Sequence, residues 1–197
     1  AVGDGALTAV GTTAIRGGTY DTLNSTFWLI LDDSGSGNVD QIVEINAAGT
    51  EVVTAAIDAP SDNLEGISVV NDTLFVLENG WAEGEEGSHR VFKFSLSTST
   101  GDTTTVPTGA SRSAWNTASD GRYQAKNNEW SWFYGLHADG TGSSANLWLS
   151  RDDGNMMFKM SQAGKKKKEV WLPWLGINFS SVAYSSQNNV LYAFDAD

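Results

Sequence analysis

Acidic and amide side chains stand where apolar runs end, at Asp32-Asp33, Glu78-Asn79, Asp152-Asp153 and Asp195, while Glu65 and Asn178 stand just ahead of two further runs. Convergent carboxylate and amide oxygens are the ligands that calcium or magnesium takes. A metal held this way can activate water as a nucleophile. The local alternative is that Asp and Asn end strands and start turns by bonding nearby backbone. A second group is aromatic: Trp115, Tyr123, Trp130 and Trp132 lie close to Arg112, Arg122 and Lys126. Flat rings beside guanidinium and amide groups suit stacking on a sugar or another polar ring. Against that, Trp130 and Trp132 alternate as they would along a strand packed between layers.

Other chemistries are excluded. The chain has no cysteine, so it holds no disulfide, thiolate metal site or cysteine nucleophile. Its two histidines, His89 and His137, do not have the spacing that builds a zinc site on one helix. Neither a GxSxG elbow nor a GxxxxGK[ST] phosphate loop occurs. The loop from Asn79 to Gly87 carries Glu83, Glu85 and Glu86 but lacks the alternating Asp spacing of a calcium loop.

The 197 residues carry 12 basic against 24 acidic side chains, a formal charge of -12. Nucleic acid and anionic lipid are therefore poor partners, since both need clustered Lys and Arg. Four of the seven lysines fall together at Lys165 to Lys168, expected as a solvated hairpin tip. No apolar run reaches the roughly 20 residues that span a bilayer. The chain starts at Ala1 without a basic and apolar leader, as expected of a processed secreted chain or a piece of a longer one. Asn24, Asn71 and Asn178 head glycosylation sequons, which matter only in a pathway that glycosylates.

These residues must be positioned by strands. Short runs of Val, Ile, Leu, Phe, Trp and Tyr alternate with Gly, Ser, Thr, Asn and Asp, and no long helical period appears. The strongest runs start at Thr26, Thr73, Asn146 and Asn189, and each is preceded by a short strand led by a small residue: Gly18, Gly66, Gly135 and Ser181. Those leads are 48, 69 and 46 positions apart. In the first three units a third strand follows (Gln41 to Asn46, Arg90 to Leu96, Met156 to Ser161), then a fourth (Glu51 to Ile57, Thr103 to Val106, Glu169 to Leu172). Four antiparallel strands recurring every 40 to 50 residues or so are the pattern of a β-propeller blade.

The expected fold is therefore all-β, a propeller of four-stranded blades at about 12–59, 63–109, 130–176 and 178–197, with an insertion at about 110–129. Three and a half blades do not close a ring of four to eight or so, which points to a fragment or an incomplete propeller. Ala6 to Val10 could add an outer strand. A small closed β-sandwich is the alternative arrangement.

The run Asn63-Leu64-Glu65-Gly66-Ile67-Ser68-Val69, with Asp72 to Val76 and His89 to Phe94, resembles a blade of the six-bladed group that includes NHL-repeat proteins and gluconolactonase-like calcium-dependent lactonases. Tyr134 to Gly140 followed by Asn146 to Leu149 resembles the same blade again. Lactonases of this group hold one divalent metal through a Glu, an Asn and an Asp. The resemblance places those roles on Glu65, Asn178 and Asp195 and implies a bound Ca. Here Ile67 stands where the lactonase motif has proline, and Phe179 follows Asn178 where that motif has glycine.

In a propeller the inner strands line a channel, so Glu65, Asn178 and the strand-closing acids should share one rim. The leading functional expectation is an extracellular or cell-surface binding or structural module, with a protein or glycan partner, the remainder of a larger propeller, or a second copy of itself. The alternatives are a metal-dependent hydrolase of lactonase or phosphoesterase type, and a carbohydrate-binding module using Trp115, Arg122, Tyr123, Trp130 and Trp132.

Overall fold

The structure, a computed structural model, describes residues 14–32, 40–50, 52–58, 64–78, 90–96, 113–116, 133–140, 144–151, 156–162, 166–171, 179–185 and 187–195. These form fourteen strands in four antiparallel sheets. The first sheet comprises β1 (Ala14–Asp21), β2 (Thr26–Asp32), β3 (Gln41–Asn46) and β4 (Val52–Asp58) in that order. The second is β5 (Leu64–Val70), β6 (Thr73–Glu78), β7 (Arg90–Ser95) and β8 (Ser113–Asn116), and the third is β9 (Phe133–Asp139), β10 (Asn146–Arg151), β11 (Met156–Ser161) and β12 (Lys166–Trp171). The fourth has β13 (Phe179–Ser185) and β14 (Val190–Asp195). Four successive sheets are the arrangement of propeller blades. A sandwich would need two facing ones.

β6 and β10 are apolar on both faces because a sheet lies on either side of each. Trp28 and Ile30 of β2 pack with Ile67, Leu74, Val76, Phe92 and Phe94 of the second sheet. On the opposite face of that second sheet, Phe75, Leu77 and Val91 meet Leu136, Leu147, Leu149, Phe158 and Met160 of the third. Trp148 and Met157 of the third sheet then meet Val182, Leu191 and Ala193 of the fourth. Burying each such side chain contributes roughly 1.5–3 kcal/mol, so the repeated face-to-face contacts dominate the stability of the assembly. Asn71 and Asn189 take positive φ values of 50° and 53° in the tight turns from first to second strand, a conformation Asn tolerates better than most residues.

The first strands form an inner row: β1 lies against β5, β5 against β9, and β9 against β13. Small lead residues make that approach possible. A Cβ on Gly66 would sit 2.8 Å from Leu136 Cβ, and one on Gly135 would sit 2.7 Å from Ser181 Cα. Side-chain and backbone groups also stitch neighbouring sheets. The buried Asp40 accepts from Leu64 N at 2.8 Å, and Ser68 Oγ accepts from Ala138 N at 2.9 Å.

Three expectations differ in detail from the structure. The fourth strand of the second sheet is Ser113–Asn116, opposite Val91 to Lys93 and Arg90, and so lies inside the segment read as an insertion. The run Thr103 to Val106 lies outside the described residues. Its threonines favour an extended chain but offer little apolar surface, whereas Ser113-Ala114-Trp115-Asn116 includes a large aromatic residue. Lys166 to Lys168 belong to β12 itself, opposite Lys159 and Met160, not to a turn. Finally, the residue equivalent to Gly66 is Gly17: it pairs with Ile30 as Gly66 pairs with Leu77. Adjacent glycines hide that one-residue offset in the sequence. Ala6 to Val10 also lie outside the described residues.

Candidate functional site

One irregularity recurs at the start of every inner strand. The pairing of β1 with β2 skips Arg16, that of β5 with β6 skips Glu65, and that of β13 with β14 skips Ser180. In β9 the skip falls at Tyr134-Gly135. A bulge of this kind inserts an extra residue, bends the strand and re-aims a side chain. Arg16 and Glu65 thus occupy equivalent places in neighbouring sheets, and their side chains meet.

The Arg16 guanidinium bridges two sheets. Its Nη1 donates to Glu65 Oε1 at 3.0 Å, and its Nη2 lies 3.1 Å from Asp32 Oδ2. Burial works against the guanidinium charge, but Glu65, Asp32 and Asp40 outweigh it and hold Arg16 above its ordinary value. Burial is likewise the main influence on Glu65, pushing its carboxyl up; Arg16 opposes that, while Asp40 and Asp32 add to it. A fork of guanidinium donors between two carboxylates is a strong, directional arrangement. It places a fixed positive charge against the same oxygens that a cation would need, and like charges at contact distance repel.

Of the acids expected around the rim, Asp32 and Glu65 are brought together by Arg16. Glu78 is buried at the end of β6, opposite Leu64. Asp195 closes β14 opposite Phe179 and is described by its backbone only. Asn178, Asp33, Asp152 and Asp153 lie outside the described residues, as does the loop from Asn79 to Gly87. Counted along the strand, the position equivalent to Glu65 in the fourth sheet is Ser180, two residues beyond Asn178. Among the described residues, no three His, Asp or Glu side chains converge as metal ligands. Arg16 and Asp40 were not legible as site residues without this alignment; the Arg-Gly step at 16–17 matching Glu-Gly at 65–66 is the signal that marks Arg16.

The aromatic group is described only at Trp115, whose backbone in β8 lies opposite Val91. Arg112, Arg122, Tyr123, Lys126, Trp130 and Trp132 lie outside the described residues. A different aromatic cluster emerges between the third and fourth sheets. Trp148 and Tyr184 stack with centroids 5.5 Å apart, and Lys159 Nζ lies 5.2 Å from each ring while pairing with Asp139 at 3.4 Å. Beside them His137 bonds the backbone of Tyr184; burial lowers its pKa below the usual histidine value, against the influence of that bond and of Asp139. Trp148 and Trp28 are core residues whose indole Nε1 atoms have no hydrogen-bond partner, whereas Trp171 is exposed on the edge strand β12.

The described elements, four successive antiparallel sheets joined at their inner strands, define a β-propeller. Solved structures agree. The chain is similar to a chain of a nidogen/laminin complex, with a TM-score of 0.61 and 13% identity over 95% of this chain and 59% of that one. It is also similar to the Cps50 (Swd1) β-propeller domain of Myceliophteria thermophila (TM-score 0.50, 9% identity, 94% and 55% covered). A protein of unknown function from Bacteroides caccae matches at TM-score 0.50 and 10% identity, with 94% and 62% covered. The chain thus spans less than two thirds of the length of each of these structures. No protein-family description and no curated protein matches it by sequence.

Proposed function

We propose that the chain serves as a non-catalytic β-propeller module, extracellular or at the cell surface, whose role is to bind or support another protein. The observation that carries this reading is the Arg16 bridge. The rim acid that could anchor a metal-activated water, Glu65, is committed to a guanidinium shared with Asp32, so the rim is furnished for joining sheets. The similarity to a chain of a nidogen/laminin complex is compatible with a protein partner. The competing reading is the calcium-dependent lactonase or phosphoesterase with Glu65, Asn178 and Asp195 as ligands.

Calcium titration by calorimetry, with thermal melting in parallel, separates the two. The module reading expects flat heats and an unchanged melt, in the parent chain and in Glu65→Gln alike. Saturable calcium binding that raises the melting temperature and disappears in Glu65→Gln would overturn it. At a free calcium concentration of about 100 times Kd, a bound metal would add about 2.7 kcal/mol, several degrees for a chain of this size.

A further inference from the structure

The third sheet breaks a pairing rule. Across it, one row places His137 of β9 opposite Trp148 of β10, Trp148 opposite Lys159 of β11, and Lys159 opposite Lys168 of β12. Like charges directly opposite each other destabilise a sheet. A third ammonium group joins the two lysines. The register shift between β11 and β12 sets Lys167 off the ladder, and its Nζ donates to Asn146 Oδ1 on the same face, two residues before Trp148. Lys159 is partly covered: it lies between the Trp148 and Tyr184 rings and pairs with Asp139. Lys167 and Lys168 are exposed, and among the described residues neither pairs with a carboxylate. Glu169 stands opposite Phe158, on the face turned to the second sheet. In a chain with 24 acids against 12 bases, positive charge gathered at a cost to the sheet is the kind of local conflict that marks a binding surface.

The strand that carries these lysines is also the outermost of its sheet. Its pairing is regular from Lys168 to Trp171, and no described strand pairs along its outer side there. Trp171, opposite Met156, falls on the reverse face and is 59% exposed. A charged face, an apolar face and a main-chain edge thus lie side by side on β12. Lysines on an edge deter pairing with a basic strand, but they attract an acidic one.

We infer that β12 is the docking edge for an extended acidic segment of a partner protein, added as a strand along Lys168 to Trp171. Its carboxylates face Lys167 and Lys168, and its apolar side chains face Trp171. In strand addition the main-chain bonds supply affinity and alternate side chains supply specificity. Successive side chains of a strand point to opposite faces, so a segment that alternates acid with apolar residues matches both faces of β12 at once. A sulfated polysaccharide would meet the lysines but has no peptide backbone to pair along the edge. The inference rests on the reading of the chain as a protein-binding module and adds the surface and the partner's chemistry.

The test is fluorescence anisotropy of a labelled peptide alternating Glu with Val, titrated with the 197-residue chain. The expected result is saturable binding that weakens as salt screens the charges. Affinity should fall roughly tenfold or more when Lys167→Glu and Lys168→Glu are combined, persist when both are changed to Arg, and fall in Trp171→Ala. A peptide alternating Glu with Pro has the same charge but lacks half of the backbone donors, and should bind far more weakly. These side chains are exposed, so the charge variants should melt with the parent chain, and Lys168→Gln, which removes the repulsion with Lys159, should melt no lower. No binding of the Glu-Val peptide, equal binding of the two peptides, or binding unchanged by the paired Glu substitutions would overturn the inference. Tighter binding of a heparin oligosaccharide than of the Glu-Val peptide would overturn it by assigning the lysines to a glycan. The calcium titration reports on Glu65 and not on this edge, so the module reading and the edge assignment fail separately.

Discussion

Replacing Gly135 with Ala tests whether close approach of the inner strands holds the sheets in place. The added methyl carbon would lie 2.5 Å from Ser150 Oγ and 2.7 Å from both Ser181 Cα and Val182 N. Two of those atoms are backbone of β13 and cannot rotate away, so β9 and β13 must separate. Overpacking of this kind costs about 1–3 kcal/mol. Displacing Ser150 also breaks the buried bond it accepts from Gly135 N at 2.8 Å, which adds about 1–3 kcal/mol for an unsatisfied N–H. The sum is about 2–6 kcal/mol, or on the order of 10 °C in a protein of this size. Gly18→Ala is the control. Its methyl would meet Leu29 Cδ2, the end of a flexible side chain, at 3.0 Å, with the next neighbour at 3.7 Å. That change should cost less than about 1.5 kcal/mol. Urea unfolding followed by tryptophan fluorescence measures both. Equal midpoints for the two variants would refute the role assigned to the inner-strand glycine.

His137 should make the molecule acid-sensitive. Because burial lowers its folded-state pKa, its contribution is complete above the unfolded value of about 6.5 and is lost as pH falls through the lower folded value. Stability between about pH 7.5 and 5.5 should then decline by at most about 1.4 kcal/mol per pH unit, and His137→Gln should flatten that slope in denaturant titrations. Asp40→Ala should cost about 1–3 kcal/mol by stranding Leu64 N. Asp40→Asn, which keeps an acceptor, should restore most of the loss when the two midpoints are compared.

Much of the fold is written locally. The doubly apolar strands at Thr73 and Asn146 announce sheets on both sides, and Gly66 and Gly135 mark the inner row, because each property is decided within a few residues. What is hidden depends on contacts between repeats. Glu65 is recognisable as a rim acid, but Arg16 lies 49 residues away and meets it only through matching bulges. Asp40 reads as loop polarity until its bond to Leu64 N, 24 residues on, shows it joining two sheets. Ser113–Asn116 escapes for the opposite reason: its four residues are too short to stand out among the polar residues around them. The Lys run is misread as a turn because lysine disfavours strands in general, although edge strands are where it is used.

Within each sheet the strands lie side by side in the order in which they are connected. During translation, the chain can therefore finish one sheet before the residues of the next have left the ribosome, and the new sheet has a preformed apolar wall on which to settle. Few long loops have to close against their entropy before contacts reward them. The assembly can grow from its N-terminus, each completed sheet templating its successor. Synthesis interrupted between sheets would leave a shorter stack ending in an exposed face, the kind of surface that marks an unfinished chain for chaperones.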